Sequence, residues 1–386
     1  MRLSTILSLC LVLVPLVADA KAKKVDDYHW VGVERVVAIC DLHGDYDRYI
    51  DVMHSAGLID KKGKWTGGKT HLVQTGDIPD RGPDTRKIID HLVKLAKQAK
   101  KKGGYIHMLI GNHEAMNVVG DLRYVSEGEY KAFTGKNSER LQALQWQHQL
   151  DWMKANMPDF ENMDIDAFYA EWQTKVPLGW VEHRQAWSLN GDYGNLVKGN
   201  KVAVQVNDTI FVHGGISEKY CKFSLESLTD QVITAMANYD PAVTTIVDDP
   251  LGPLWYRGLA NEKKSDVFSQ TLDNILERYD AKRIVVGHTP TGGVIWPRFD
   301  QRVIVNDTGI AKHYGAHKGV LELTSSGINA IYGDEKISLP MADNDREDYL
   351  RAVIGFDSNN GQLKKRLAGM LEPEVIQVSV DATDGG

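Results

Sequence analysis

The sequence predicts an α/β fold, and three observations carry that reading. Short apolar runs alternate with segments of helical spacing over about the first hundred residues. Five apolar runs along the chain break off abruptly in Asp, His or Asn beside glycine. Apolar runs of strand length then return across residues 303–331 and suggest a second sheet. Buried parallel strands read as continuous apolar stretches, and chemistry collects in the crevice beyond their carboxyl ends.

Residues 1–20 carry Arg2, an apolar stretch over 6–17 and the small-residue site Ala18-Asp19-Ala20, the three parts of a cleaved export signal. The mature protein is expected to start near Lys21, in the periplasm or outside the cell. The apolar run is shorter than the ~20 residues a spanning helix needs, so no membrane association is expected after cleavage. Residues 21–34 read as an exposed amino-terminal segment. Cys10 leaves with the signal; Cys40 and Cys221 remain, too few for a disulfide-built fold. They could pair in an oxidising compartment, although Cys40 ends a buried strand. The net charge of −7 argues against nucleic acid as a partner, because phosphate backbones are held by clustered Lys and Arg.

The first strand, 36–40, runs into Asp41-Leu42-His43-Gly44-Asp45. Tyr49, Ile50, Val52 and Met53 follow at helical spacing, with Gly57 as the stop. Residues 61–70, rich in Lys and Gly around Trp65, read as an exposed turn. The stretch 72–82 is the one around which the chain is organised: an apolar run ending in Asp77, Asp80 and Arg81 between Gly76 and Gly82. A helix with Ile88, Ile89, Leu92, Val93, Leu95 and Ala96 ends at Gly103-Gly104, and the third strand, 106–110, delivers Gly111-Asn112-His113-Glu114.

A cap insertion at about 115–200 interrupts this rhythm, with helices expected over 138–157 and 164–173. Its Trp146, Trp152, Phe168, Tyr169, Trp172, Trp180 and Trp187 fit cap-to-core packing, the alternative being substrate stacking. Residues 191–199 read as a loop. Paired strands 202–206 and 209–212, turning at Asn207-Asp208, end in His213-Gly214-Gly215. Ser224 caps a helix bearing Leu225, Leu228, Val232, Ile233 and Met236. Another, with Val267, Phe268, Leu272, Ile275 and Leu276, leads to strand 284–286 and Gly287-His288-Thr289. One domain therefore spans 35–335, and residues 336–386 form an extension without functional signal.

Asp, His and Asn at five strand ends are side chains that bind borderline metal ions. Two ions about 3.5–4 Å apart can share a carboxylate, activate water and clamp a phosphoryl group in an in-line displacement. In this order, the five motifs resemble the phosphoprotein phosphatase family of calcineurin-like metallophosphoesterases, and more closely the Shewanella-like protein phosphatases. Gly179-Trp180-Val181-Glu182-His183-Arg184 and Gly252-Pro253-Leu254-Trp255-Tyr256-Arg257 support that likeness, which covers about residues 35–310. Cys40 departs from the glycine usual there.

The resemblance implies a two-sheet α/β sandwich with a helical cap, and an enzyme acting on phosphorylated proteins or peptides. It implies that Asp41, His43 and Asp77 hold one metal ion, and Asp77, Asn112, His213 and His288 a second. Each ion would be Mn, Fe or Zn. Arg81 and Arg257 match a phosphate clamp, and His113 a general acid oriented by Asp80. Glu114 fits a hydrogen-bonding partner better than a ligand. The expected reaction is hydrolysis of phosphotyrosine and/or phosphoserine/threonine by a hydroxide bridging the ions, without a phosphoenzyme. The alternatives are a diadenosine or other nucleotide phosphohydrolase and a metal-stabilised binding protein, although the latter has no need of the acid His113.

Overall fold

The computed structural model describes residues 22–371. The expected export signal and the end of the carboxyl-terminal extension lie outside them. The chain opens with β1 (Lys23–Lys24) and β2 (His29–Val31), then alternates β3 (Arg35–Ile39), α1 (Tyr46–Ser55), β4 (His71–Gln74), α2 (Thr85–Lys101) and β5 (Tyr105–Met108). β3, β4 and β5 are parallel, with Val37, Leu72 and Ile106 side by side. That register brings the loops bearing Asp41, Asp77 and Asn112 to one edge of the sheet. Asp45 caps α1 by accepting from Arg48 N at 3.3 Å, and α1 buries Tyr49, Val52 and Met53.

The turn over 61–70 is not wholly exposed. Ile59 bridges to Trp65, folding the segment back as a small hairpin, and Trp65 is buried with its Nε1 donating to Gly68 O at 3.1 Å. The expected exposed segment at 21–34 is also partly engaged: β2 pairs in parallel with β6 (Ala203–Val206), and Trp30 packs on His71 at 4.9 Å.

The cap comprises α3 (Asn112–Val119), α4 (Glu127–Phe133), α5 (Ser138–Asn156), α6 (Ile165–Lys175), α7 (Trp180–Trp187) and α8 (Asp192–Gly199). α8 replaces the loop expected over 191–199. Its glycines suggested a turn, yet a Cβ at Gly194 would strike the carbonyl of Ser188, so that glycine serves close packing while Tyr193 and Val197 bury one face. The aromatics mostly pack the cap on itself, Trp146 meeting Tyr169 at 4.6 Å and Trp172 at 5.1 Å. Trp187 alone among the cap tryptophans is fully buried, and Trp152 is largely exposed.

β6 and β7 (Thr209–Val212) form the expected hairpin, with Asn207 left-handed at φ 56°. Next come α9 (Leu225–Ala237), capped by Ser224, then α10 (Gly258–Asn261), α11 (Asp266–Arg278), β8 (Arg283–Val286), β9 (Trp296–Arg298) and β10 (Val303–Val305). β11 (Gly319–Thr324), β12 (Gly327–Tyr332), β13 (Glu335–Ser338), α12 (Arg346–Phe356) and α13 (Gly361–Leu371) follow to the end of the described residues. The strands form a seven-stranded sheet, β1-β2-β6-β7-β8-β10-β9, and a six-stranded sheet, β13-β12-β11-β3-β4-β5. The second sheet is thus built from β1, β2 and β6 to β10, whereas β11 to β13 return to the first, with Leu323 opposite Val36. Alternation in sequence marks a strand but not its partner, which here lies far along the chain. α12 docks on the core through Tyr349, whose hydroxyl lies 2.7 Å from that of Tyr332.

Cys40 is buried, Cys221 is partly exposed, and both are free thiols, so the two do not pair. Among the described residues no helix is long and apolar enough to cross a membrane.

Candidate active site

The loops beyond β3, β4, β5, β7 and β8 meet where the two sheets come together. Five non-glycine residues there hold left-handed backbone: His43 (φ 44°), Asp77 (59°), Asp80 (74°), Arg81 (65°) and His288 (63°). Such conformations are rare for residues with a Cβ and persist only where neighbours enforce them. Asp77 O accepts from Leu42 N at 2.9 Å and His43 N at 3.1 Å, and Gly82 N donates to His43 O at 2.9 Å. A Cβ on Gly44 would come within 2.5 Å of Gly82 O, so the two loops lock through backbone contact that a side chain would block.

Asp77 is central. Its Oδ2 lies 3.3 Å from His213 Nε2, 3.8 Å from His113 Nε2 and 3.9 Å from His43 Nε2, while Oδ1 accepts from His113 N at 2.9 Å. Two sets of donor atoms share it: His43, Asp77 and His113, and Asp77, His213 and His288. Asp41 approaches both, with Oδ2 3.9 Å from His43 Nε2 and Oδ1 4.0 Å from His213 Nδ1. Asn112 Oδ1 is 2.9 Å from His213 Nε2.

The lone pairs of this cluster converge. His213 Nδ1 faces Thr75 O at 3.0 Å and His43 Nδ1 faces Pro79 O at 3.2 Å, so each proton belongs on Nδ1 and each Nε2 points a lone pair at carboxylate oxygens. His288 Nε2 is buried without a partner. Burial pushes His43 down to about 3 and His288 to about 2, leaving both imidazoles neutral, as metal ligands must be. Burial, together with Asp307 and Asp77, pushes Asp41 well above the usual carboxylate range. Facing acceptors at buried carboxylates are an arrangement that a cation relieves, and the mixed imidazole, carboxylate and amide set suits borderline divalent ions.

His113 Nδ1 lies 2.5 Å from Asp80 Oδ2, and Asp80 Oδ1 accepts from Asn117 Nδ2 at 2.9 Å. Burial lowers the His113 pKa, but Asp77 and Asp80 outweigh it and the net shift is upward. Glu114 braces the loops: Oε2 accepts from Asp77 N and Gly111 N, both at 2.8 Å, and Oε1 from Ile78 N at 2.7 Å. Arg81 stacks on Tyr124 at 3.9 Å, and Arg257 donates to His288 O at 2.6 Å and Thr289 Oγ1 at 3.1 Å.

Eight of the ten residues singled out in the sequence line one cavity of about 140 Å³: Asp41, His43, Asp77, Arg81, Asn112, His113, Arg257 and His288. Asp80 and His213 stand just behind it, fully buried. A roomier cleft of about 570 Å³, lined in part by Asn207, Asp208 and Arg283, opens at the other end of the strands, away from the donor cluster. No cap tryptophan lines the small cavity, whereas Tyr124, Trp255, Tyr314 and Asp307 do. Asp307, absent from the residues that the sequence singles out, follows the apolar run of β10 just as the other donors follow their strands. Its carboxyl is pushed up to about 6, chiefly by burial. Tyr124 and Tyr314 lie where no periodicity marks them.

Residues 34–292 match the family described as calcineurin-like phosphoesterase. The chain is 30% identical to Shewanella-like protein phosphatase 2 of Arabidopsis thaliana over 363 residues, covering 90% of this chain and 86% of that protein. It is also 30% identical to an uncharacterised protein of Schizosaccharomyces pombe, over 79% of this chain and 82% of its relative. A crystal structure of a cold-active protein-tyrosine phosphatase from a psychrophilic Shewanella species superposes with a TM-score of 0.61 at 26% identity, covering 82% of this chain and 83% of the other.

Proposed function

We propose, from the premise that this chain belongs to the calcineurin-like phosphoesterase family and is a phosphoester hydrolase, that it dephosphorylates phosphotyrosine and/or phosphoserine/threonine in proteins at a two-metal centre. The observation that carries this reading is the sharing of Asp77 by two adjacent donor sets. Asp41, His43 and Asp77 would hold one ion, and Asp77, Asn112, His213 and His288 the other. Ions bound there supply Lewis acidity and a nucleophilic water at neutral pH.

The chain's own residues do the rest. Arg81 and Arg257 flank the cavity and match the planar donor pattern that fits phosphoryl oxygens. His113, held by Asp80, faces the cavity through Nε2 and gives its proton to the leaving oxygen. Its 3.8 Å approach to Asp77 would also suit a ligand, but the short contact with Asp80 and the raised pKa favour the acid.

The test is elemental analysis of the protein as isolated, then chelation and readdition of Mn, Fe or Zn singly, with activity read on phosphopeptides and diadenosine tetraphosphate. Chelation should abolish turnover and one or more of the metals restore it. The expected kcat/KM for the better phosphopeptide exceeds that for the dinucleotide by about tenfold or more. The reverse order would identify a nucleotide phosphohydrolase instead.

A clamp acts on ground and transition states alike, so Arg81→Ala and Arg257→Ala should each raise KM and lower kcat while metal content stays at the wild-type level. Removing a bidentate charged contact of this kind costs roughly 1.5–3 kcal/mol, or about 10- to 100-fold in kcat/KM. Metal loss in Arg257→Ala, or unchanged kinetics, would assign that arginine to holding the His288 loop.

A further inference from the structure

Behind the pair of Asp80 and His113, on the side away from the cavity, polar groups from two cap helices are buried together. Glu129 of α4 is fully buried, and its Oε2 accepts from Asp80 N at 3.2 Å. Its Oε1 has no hydrogen-bond partner and lies 3.6 Å from His183 Nε2, which also has none. His183, on α7, is fully buried beside the rings of Phe133 at 4.9 Å and Tyr130 at 5.3 Å. The next residue, Arg184, donates to Asn117 O at 2.5 Å, and Asn117 in turn donates to the Asp80 carboxylate. Three helices therefore hold Asp80: α4 by its backbone, α3 by its side chain through Asn117, and α7 by bracing Asn117.

Glu129 and His183 face each other in a largely apolar pocket, with the Thr85 hydroxyl as a further polar group beside Glu129, and such groups are costly unless hydrogen bonds, direct or through a water, satisfy them. Burial pushes the Glu129 carboxyl well above its ordinary range and His183 down to about 3, so it favours the neutral form of each. A neutral carboxyl suits both neighbours, its O–H directed to His183 Nε2 while the other oxygen accepts from Asp80. The bond to Asp80 matters because Asp80 is left-handed at φ 74° and delivers its carboxyl to His113 from that conformation.

We infer that Glu129, backed by His183, is a positioning residue for phosphoester hydrolysis, fixing the Asp80 backbone so that His113 stays aimed at the leaving oxygen. This rests on His113 being the leaving-group acid. Loosening the aim hurts most where the leaving group most needs a proton. The consequence is a change in leaving-group preference rather than a uniform loss.

The experiment compares Glu129→Ala, Glu129→Gln, His183→Phe and His113→Ala with wild type, each metal-loaded, on matched phosphoserine and phosphotyrosine peptides. Glu129→Ala should lose about tenfold more kcat/KM on phosphoserine than on phosphotyrosine, through kcat with KM nearly constant. Glu129→Gln offers the same acceptor and a neutral donor, and should keep the wild-type ratio. His183→Phe should shift the ratio in the same direction by less, and reads the same link should Glu129→Ala fail to fold. An unchanged ratio in Glu129→Ala and His183→Phe, with His113→Ala shifted, overturns the positioning role and leaves the acid in place. An unchanged ratio in His113→Ala overturns the acid assignment and this inference with it.

Discussion

Asp77→Asn is expected to abolish turnover, with a loss well beyond the ~10–100-fold that removal of an outer hydrogen-bonding partner of a metal ligand costs. Asp77 belongs to both donor sets, and its Oδ2 faces three imidazoles at 3.3, 3.8 and 3.9 Å. Asparagine tolerates left-handed backbone better than most residues, so the φ of 59° is spared. Its amide also retains an oxygen for the bond now made by His113 N. What is lost is negative charge and one oxygen able to bridge. The variant should therefore fold, melt near the metal-free wild type, and hold less metal per chain. Two bound ions with near-normal kcat would show that Asp77 is not the bridge.

His113→Ala should cost about 10²- to 10⁴-fold on a phosphoserine peptide, the usual contribution of a positioned general acid, and distinctly less on phosphotyrosine. A tyrosine phenol has pKa ~10 and leaves with little help, whereas a serine alkoxide is far more basic and needs the proton as the bond breaks. The backbone bond from residue 113 to Asp77 survives the substitution, which keeps the loop in place. Measuring kcat/KM on both peptides at saturating metal, with metal content determined in parallel, decides the outcome. Equal losses with both ions retained would remove His113 from the role of acid; loss of metal would make it a ligand.

Most of the site could be read from the sequence because each donor follows directly on a buried strand, and local pattern finds both the strand and its end. The same logic marked Ser224 as a cap and Asn207 as a turn. It failed where a residue's meaning depends on distant neighbours. Gly194 reads as a breaker until Ser188 is seen pressed against it, and Trp65 reads as exposed until the chain folds back over Ile59. Strands β11 and β12 are recognisable as strands, but the pairing of β11 with β3 spans nearly the whole domain, and β13 falls in what reads as the extension. Tyr124 reaches the cavity from an irregular stretch, through its contact with Arg81, and nothing in its surroundings announces that. Glu129 lies one turn into a short helix with no local sign that its carboxyl reaches Asp80.

The meeting of both sheets at the donor cluster also sets a clock on the protein's maturation. Both Asp41 oxygens approach the backbone N–H of His288, residues 247 apart in sequence, at 3.2 and 3.3 Å. An elongating chain cannot assemble this cluster before His288 has been made and β8 has docked on β7, whatever the state of the earlier strands. The donors His43, Asp77 and His113 all come from the first third of the chain, whereas the set that adds His213 and His288 is complete only in the finished arrangement, where an ion would act as a late clasp between the sheets. A nascent chain therefore lacks the second donor set until His288 arrives.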